Sequence, residues 1–272
     1  VGVWVDDLQR IGGAMRLADP VEAIETDGER VTGLRTRSGW KEDFDAIASN
    51  GDVVHSYGLL RHERGPASVK RLKRKRFSPS LFVVHFGVRG EHPGIAHHNI
   101  LFGPRYQGLL GDIYDRGRIA KVPSLSGHHP TATDAGMAPP GFSTFYALAP
   151  VPHLGKAPVD WAVEGARYRD RILEIVEQRL VPALRERIEI LFHYTPQDFA
   201  DDLGAHLGSA FSLEPLLTQS AWFRIHNRDD AIPNLYFVGA GTHPGAGIPG
   251  VVGSAKPTAG LMIADPAGWR AA

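Results

Sequence analysis

Asn234-Leu-Tyr-Phe-Val-Gly-Ala-Gly-Thr-His-Pro-Gly-Ala-Gly-Ile-Pro-Gly-Val-Val-Gly-Ser-Ala-Lys256 carries a short apolar strand into a glycine-rich loop, and the loop opens a helix of small residues. Leu235 to Val238 have the β-branched and aromatic character of a buried strand. Glycines at 239, 241, 245, 247 and 250 let main-chain amides come close to a ligand. Gly245, Gly247 and Gly250 also match G-x-G-x-x-G, the dinucleotide fingerprint. That fingerprint needs a strand immediately before it and a second strand bearing an acidic residue about 20 positions on. Here the expected strand ends at Gly239, and a helix from about Gly250 to Ala264 uses most of the remaining chain, so no complete βαβ unit fits.

What remains is a helix N-terminus whose free N–H groups and positive dipole end favour a developing anion. A reduced flavin is such an anion, because its N1/C2=O edge takes up negative charge when a hydride arrives at N5. A tight strand–loop–helix corner without a ligand is the alternative reading of the same residues.

The run Val238 to Lys256 resembles the C-terminal signature of bacterial-type phytoene desaturases, the FAD-dependent carotenoid desaturases. Phe102-Gly-Pro-Arg-Tyr106, Ala147-Leu-Ala-Pro-Val-Pro-His153, Ser209-Ala-Phe-Ser-Leu-Glu-Pro-Leu-Leu-Thr-Gln-Ser-Ala-Trp-Phe-Arg224 and His226-Asn-Arg228 are similar to that family in the same order, so the resemblance spans roughly Ala14 to Asp265. It implies an α/β fold: an incomplete FAD-binding domain, Rossmann-like and of the amine-oxidase-like flavoprotein kind, built from N- and C-terminal segments around an inserted mixed sheet-and-helix substrate domain. The expected boundaries are 1–58 and 200–272 for the FAD-binding segments and 59–199 for the substrate domain. The cofactor-binding residues it implies are Val21, near the adenine, and Gly239, Ala240, Gly241, Thr242, His243, Gly247, Ile248, Gly250 and Val251. For Val21 a plain core valine is the competing reading, and for His243 a structural hydrogen bond across the loop.

The chemistry implied is desaturation of a C40 polyene such as phytoene, towards lycopene or neurosporene. A hydride leaves an allylic carbon for FAD while a proton leaves the neighbouring carbon. The substrate has no polar handle, so an apolar tunnel must select it by shape. Quinone or oxygen would reoxidise the flavin, and no acid or base is assigned. A 3,4-desaturase, a carotenoid isomerase or a fragment without activity of its own are alternatives. An amine oxidase should carry an aromatic cage, and the loop from Gly239 to Gly250 contains no pair of aromatics.

Composition bounds the rest. With 272 residues, 43% apolar residues and zero formal net charge, the chain can build a real core and is neither disordered nor suited to a polyanion. The absence of cysteine closes disulfide and thiolate chemistry. No apolar run approaches the ~18 residues that span a bilayer, so the expectation is a cytoplasmic protein held peripherally at a membrane. Lys70-Arg-Leu-Lys-Arg-Lys-Arg76 could dock it on an anionic leaflet, each cation contributing about 1 kcal/mol, against the competing reading of a plain solvated helix or loop face. No aromatic platform accompanies the cluster, and nucleic acid is not expected.

The chain opens on Val1 and lacks the family's upstream G-x-G-x-x-G, which reads as a fragment; Trp4 and Asp6 are also closer than the family places them. Short strands are expected at 15–17, 23–25 and 31–36 around Asp27-Gly28, and another at 44–49. Tyr168, Ile172, Ile175, Val176 and Leu180 recur at helical spacing ahead of Pro182. Pro257 predicts a kink, or a short first helix and a restart. Thirteen histidines include His97-His98 and His128-His129, but neighbours in sequence do not easily share a metal and no H-x-x-x-H pattern occurs, so no metal is expected.

Overall fold

The computed structural model describes residues 2–264; Val1 and the segment 265–272, where the expected resemblance and the last domain end, lie outside them. Helix α1 (Gly2–Arg10) buries none of its residues. Strands β1 (Val21–Thr26) and β2 (Val31–Thr36) form an antiparallel hairpin, extended by β3 (Lys41–Asp43). The turn between β1 and β2 follows from its sequence. Asp27 Oδ1 accepts the amides of Glu29 and Arg30 at 2.9 and 2.8 Å, and Gly28 takes φ +105°, which a side chain would resist. Residues 15–17 form no strand, in contrast to the sequence expectation; three residues with no partner strand gain too little.

Strand β4 (Ile47–Ser49) is shorter than expected and pairs in parallel with β10 (Leu235–Phe237), joining segments far apart in sequence. Asn234 locks the junction, accepting from Val31 N at 2.9 Å and donating to the carbonyls of Val31 and Asp45 at 2.7 and 2.8 Å. Helix α2 (Val53–Leu59) is N-capped by Asp52, and α3 (Arg64–Leu72) follows. Ile24, Val31, Val53, Tyr57, Leu72, Phe77, Leu213, Leu235 and Phe237 pack into one core drawn from both ends of the chain.

A second core lies between helix α5 (Trp161–Arg179) and a five-stranded antiparallel sheet. The sheet comprises β5 (Ser80–Arg89), β6 (His98–Leu101), β7 (Leu125–His128), β8 (Phe142–Val151) and β9 (Ile188–Tyr194), in the order β6-β7-β8-β5-β9. Helix α4 (Tyr106–Gly111) and a π-helical turn (Asp112–Arg116) sit in the β6–β7 connection. Burial alternates along β8, so Phe145, Ala147, Ala149 and Val151 face inward. Helix α5 (Trp161–Arg179) supplies Trp161, Tyr168, Ile172, Leu173 and Val176 to the same core, as its spacing predicts, and ends before Pro182. Each such side chain contributes about 1.5–3 kcal/mol by leaving water.

On the opposite face of this sheet, helix α6 (Pro196–Leu203) covers one end, where Phe199 meets Tyr194 edge-on at 5.2 Å between ring centroids. Register puts His85, Tyr146, His128, His98, Ile190 and Phe192 on that face, and Ile190 and Phe192 are 62% and 53% exposed. After β9 come α6 (Pro196–Leu203), with a capping box on Thr195 and Asp198, and α7 (Ile248–Ala264). Helix α7 runs unbroken through Pro257, which overturns the expected restart. Thr258 packs in place of a break: its Oγ1 lies 2.9 Å from both the Ser254 and Phe237 carbonyls, tying the helix to β10.

Candidate flavin-facing loop

Strand β10 delivers the chain to Gly239, where φ is +98° and any Cβ would strike Asn50 Oδ1. Gly239 N donates to Ser254 Oγ at 2.7 Å, so the loop's first amide is held by the helix the loop later becomes. A Cβ on Gly241 would meet Val53 Cγ1 at 2.6 Å, and one on Gly250 would meet the Gly245 carbonyl oxygen at 2.6 Å. These glycines are needed for main-chain packing. Gly247 differs: its φ is +93° and nothing lies within 4 Å of a Cβ built there, so its backbone faces open space.

The helix start is equally open. Val251 N returns to the Gly247 carbonyl at 2.8 Å, leaving the preceding amides of the first turn outside the helical ladder. Pro249 has no N–H, so Ile248 and Gly250 supply those donors. Ile248 is 82% exposed.

Residues that carry no glycine signal hold the loop in shape. Arg224 is 5% exposed, and its guanidinium donates to the carbonyls of Thr242 (Nε, 3.0 Å) and Ala240 (Nη2, 2.5 Å). Burial pulls the pKa of this arginine below its ordinary value. Asn227 Nδ2 lies 3.0 Å from both the His243 carbonyl and Thr258 Oγ1, linking loop to helix. Thr242 is fully buried and donates from Oγ1 to the Ile225 carbonyl at 2.6 Å.

Gly239, Ala240, Gly241, Thr242, His243, Gly247, Ile248, Gly250 and Val251 therefore gather on one braced loop and helix end. Val21 stands apart from it, half-buried at the start of β1 and paired with Thr36 in another sheet. The hydrogen bonds that His243 makes across the loop are main-chain ones: its amide donates to Ile225 O at 3.2 Å and its carbonyl accepts from Asn227. Its imidazole is exposed, lining a cavity of ≈ 540 Å³ with Trp222, Asn227 and Leu261. The roles of Arg224, Asn227, Ser254 and Asn50 escape sequence reading; the one available signal is that three of them fall in the segments of resemblance, Ser254 within Val238 to Lys256, Arg224 at the end of Ser209 to Arg224 and Asn227 in His226-Asn-Arg228.

Beneath this loop a second polar cluster fastens the C-terminal segment to α2 and α3. The Asp229 side chain has no exposure; it accepts from Tyr57 Oη at 2.5 Å and from the amides of Ala231 and Ile232 at 2.8 and 2.9 Å, and pairs with Arg64 Nε at 2.6 Å. Burial pushes its pKa up, but the hydrogen bonds from Tyr57 and the two amides together with the Arg64 ion pair prevail and hold it below the ordinary value.

The residues present fit a flavin gripped by backbone: an open positive-φ glycine, two free amides at a helix N-terminus and a rigidly braced loop. Comparison with known proteins points the same way. The family model described as flavin containing amine oxidoreductase matches residues 5–263. Phytoene desaturase (lycopene-forming) from Paracoccus sp. is 57% identical over 259 residues, covering 94% of this chain and 52% of the relative. The enzyme of that name from Pantoea ananas is 51% identical, over 94% and 53% of the two chains. A neurosporene-forming phytoene desaturase from Cereibacter sphaeroides is 44% identical, over 96% and 51%. The chain thus spans about half the length of the curated relatives it matches. Among solved structures, an oxidoreductase from Methanosarcina mazei superposes with a TM-score of 0.59 at 16% identity, covering 94% of this chain and 52% of that one. Putrescine oxidase bound to putrescine gives a TM-score of 0.61 at 13% identity, covering 97% and 52%; both likenesses concern the fold alone. With the strand, braced loop and helix in place and residues 5–263 matched by the family model, this chain belongs to the flavin-containing amine oxidoreductase family.

Proposed function

We propose that this chain is the loop-bearing and substrate-facing part of an FAD-dependent phytoene desaturase. The observation that carries the reading is the sustained identity, 57% over 259 residues, with the lycopene-forming enzyme of Paracoccus sp.. FAD, when bound, supplies a two-electron hydride acceptor. Residues 239–251 would hold it, with the amides of Ile248 and Gly250 as donors to its electron-rich edge. Arg224 and Asn227 keep those amides in position by fixing the loop carbonyls.

The part of that sheet face beyond α6 fits a hydrocarbon. Beside its histidines it presents Ile190, Phe192 and Tyr146. His85 stacks on Phe192 at 4.8 Å, and burial lowers its pKa, so the face presents a neutral imidazole there at pH 7. A C40 polyene is recognised by such a surface through area and shape.

The finer organisation follows the same proposal. Segments 1–58 and 200–272 belong to the FAD-binding domain, and the inserted substrate domain occupies most of 59–199. The packing of Leu72 and Phe77 in the first core supports moving the first boundary to between Phe77 and Phe82. Peripheral membrane contact in the cytoplasm is part of the proposal: Lys70, Arg71, Lys73 and Arg74 are exposed, while Arg76 is engaged by Glu214 at 2.8 Å. No helix among the described residues is long and apolar enough to cross a membrane. Quinone or oxygen is the proposed terminal acceptor.

The test is product analysis. The protein, alone and extended upstream to the length of its relatives, is supplied with FAD and phytoene in liposomes, and the extract is resolved by chromatography with absorbance detection. Neurosporene or lycopene is the expected product from the extended chain. Flavin retention with phytoene returned unchanged contradicts the proposal.

A further inference from the structure

The β6–β7 pairing brings together three histidines that sequence spacing keeps apart. His98 and His128 are directly opposed in the antiparallel register, and His97 immediately precedes β6. One ring nitrogen from each lies within 4.8 Å of those of the other two, although neighbours in sequence do not easily share a metal. The hairpin lets His97 reach in from the strand's entrance while His98 stands over His128.

We propose that His97, His98 and His128 form a three-histidine site for a borderline divalent transition metal, with Zn2+ as its occupant, at the β6 edge of the five-stranded sheet. The ligand atoms are already close to the needed geometry. His97 Nε2 and His128 Nε2 are 2.7 Å apart, whereas two nitrogens on one tetrahedral Zn2+ at 2.0–2.1 Å stand about 3.3 Å apart. A small ring movement makes room for the ion. His98, stacked on His128 at 4.9 Å between ring centroids, is the exposed member and has the freedom to turn its nitrogen inward.

Second contacts set the tautomer such a site requires. Thr133 Oγ1 lies 2.7 Å from His97 Nδ1, and with its own proton turned to the Pro130 carbonyl at 3.3 Å it can accept from His97 Nδ1–H. That assignment leaves the His97 Nε2 lone pair facing His128, the arrangement by which a polar partner orients a metal-bound imidazole. With that assignment His128 Nε2–H donates the 2.7 Å contact, so ligation by His128 Nε2 moves its proton to the buried Nδ1, which has no other partner. The ligands are all neutral nitrogens, a set suited to Zn2+, Cu2+ or Ni2+ rather than Ca2+ or Mg2+. A fourth position remains for water. A metal here would tie the sheet's edge strand to its neighbour and to the loop carrying Thr133.

The purified protein, free of any histidine tag and stripped with chelator, is titrated with Zn2+ by calorimetry. Co2+, as a visible-spectrum reporter, is added in parallel. One equivalent of Zn2+ that survives gel filtration is expected, with intense tetrahedral Co2+ bands. His98→Gln and His128→Gln abolish both signals, Thr133→Val weakens binding about 10- to 100-fold, and His55→Gln, outside the cluster, changes neither. Circular dichroism checks each fold; if His128→Gln fails to fold, the exposed His98→Gln decides alone. No retained equivalent, or equal binding by parent and His98→Gln, overturns the site.

Discussion

Replacing Arg224 with methionine should loosen the glycine loop and release the cofactor together. The guanidinium, 5% exposed, makes two hydrogen bonds to loop carbonyls at 3.0 and 2.5 Å. A hydrogen bond to a charged group contributes about 1.5–3 kcal/mol, and an orphaned buried carbonyl costs a similar amount. Relief from burying the charge offsets part of this, so a net loss of about 3 kcal/mol is expected, or a fall in melting temperature of roughly 6–12 °C for a domain of this size. Arg224→Lys keeps the charge but not the fork, and should fall between the two. Thermal and denaturant unfolding supply the stability change, and the flavin absorbance of purified protein supplies retention. A methionine variant within about 0.5 kcal/mol of the parent, the scale of an ordinary surface substitution, with undiminished flavin, would refute the role given to Arg224.

Gly250→Ala places a Cβ 2.6 Å from a backbone oxygen and should destabilise by about 1–3 kcal/mol, while Gly260→Ala, with nothing within 4 Å in the same helix, should stabilise by about 1 kcal/mol; paired denaturant curves check the opposite signs. Pro257→Ala restores the amide that the Gly253 carbonyl lacks, and should raise the unfolding free energy by about 1–3 kcal/mol in the same assay. Because the native Asp229 pKa is depressed from 3.8, its stabilisation is complete above the unfolded pKa and is lost as pH falls through the lower native value. Acid titration of stability should therefore be steeper for the parent than for Asp229→Asn below about pH 4, followed by fluorescence.

The strand, loop and helix at residues 235–264 were legible because each has a local signature: an apolar run, glycines where side chains cannot fit, and small residues at helical spacing. Helix α5 was legible for the same reason, since its buried face repeats every three to four residues. Strand β3 was not, because Lys41, Glu42 and Asp43 are all exposed and leave no hydrophobic pattern. Residues 15–17 looked like a strand and lack a partner, which propensity cannot detect. Pro257 carries a strong local preference against helix, but Ser254 and Thr258 are buried against β10 and tertiary packing prevails. The buried Arg224 and the convergence of His97, His98 and His128 depend on contacts between segments 16 to 31 positions apart, with no fixed spacing to betray them.

Anaerobic mixing of the FAD-loaded protein, extended upstream to the length of its relatives, with phytoene in liposomes, followed by flavin absorbance, tests the central claim most directly. Bleaching of the oxidised flavin bands as polyene absorbance appears, with no bleaching by putrescine, is the predicted result. Flavin that stays oxidised with phytoene, or that is bleached by the amine instead, would contradict the assignment of this chain to carotenoid desaturation.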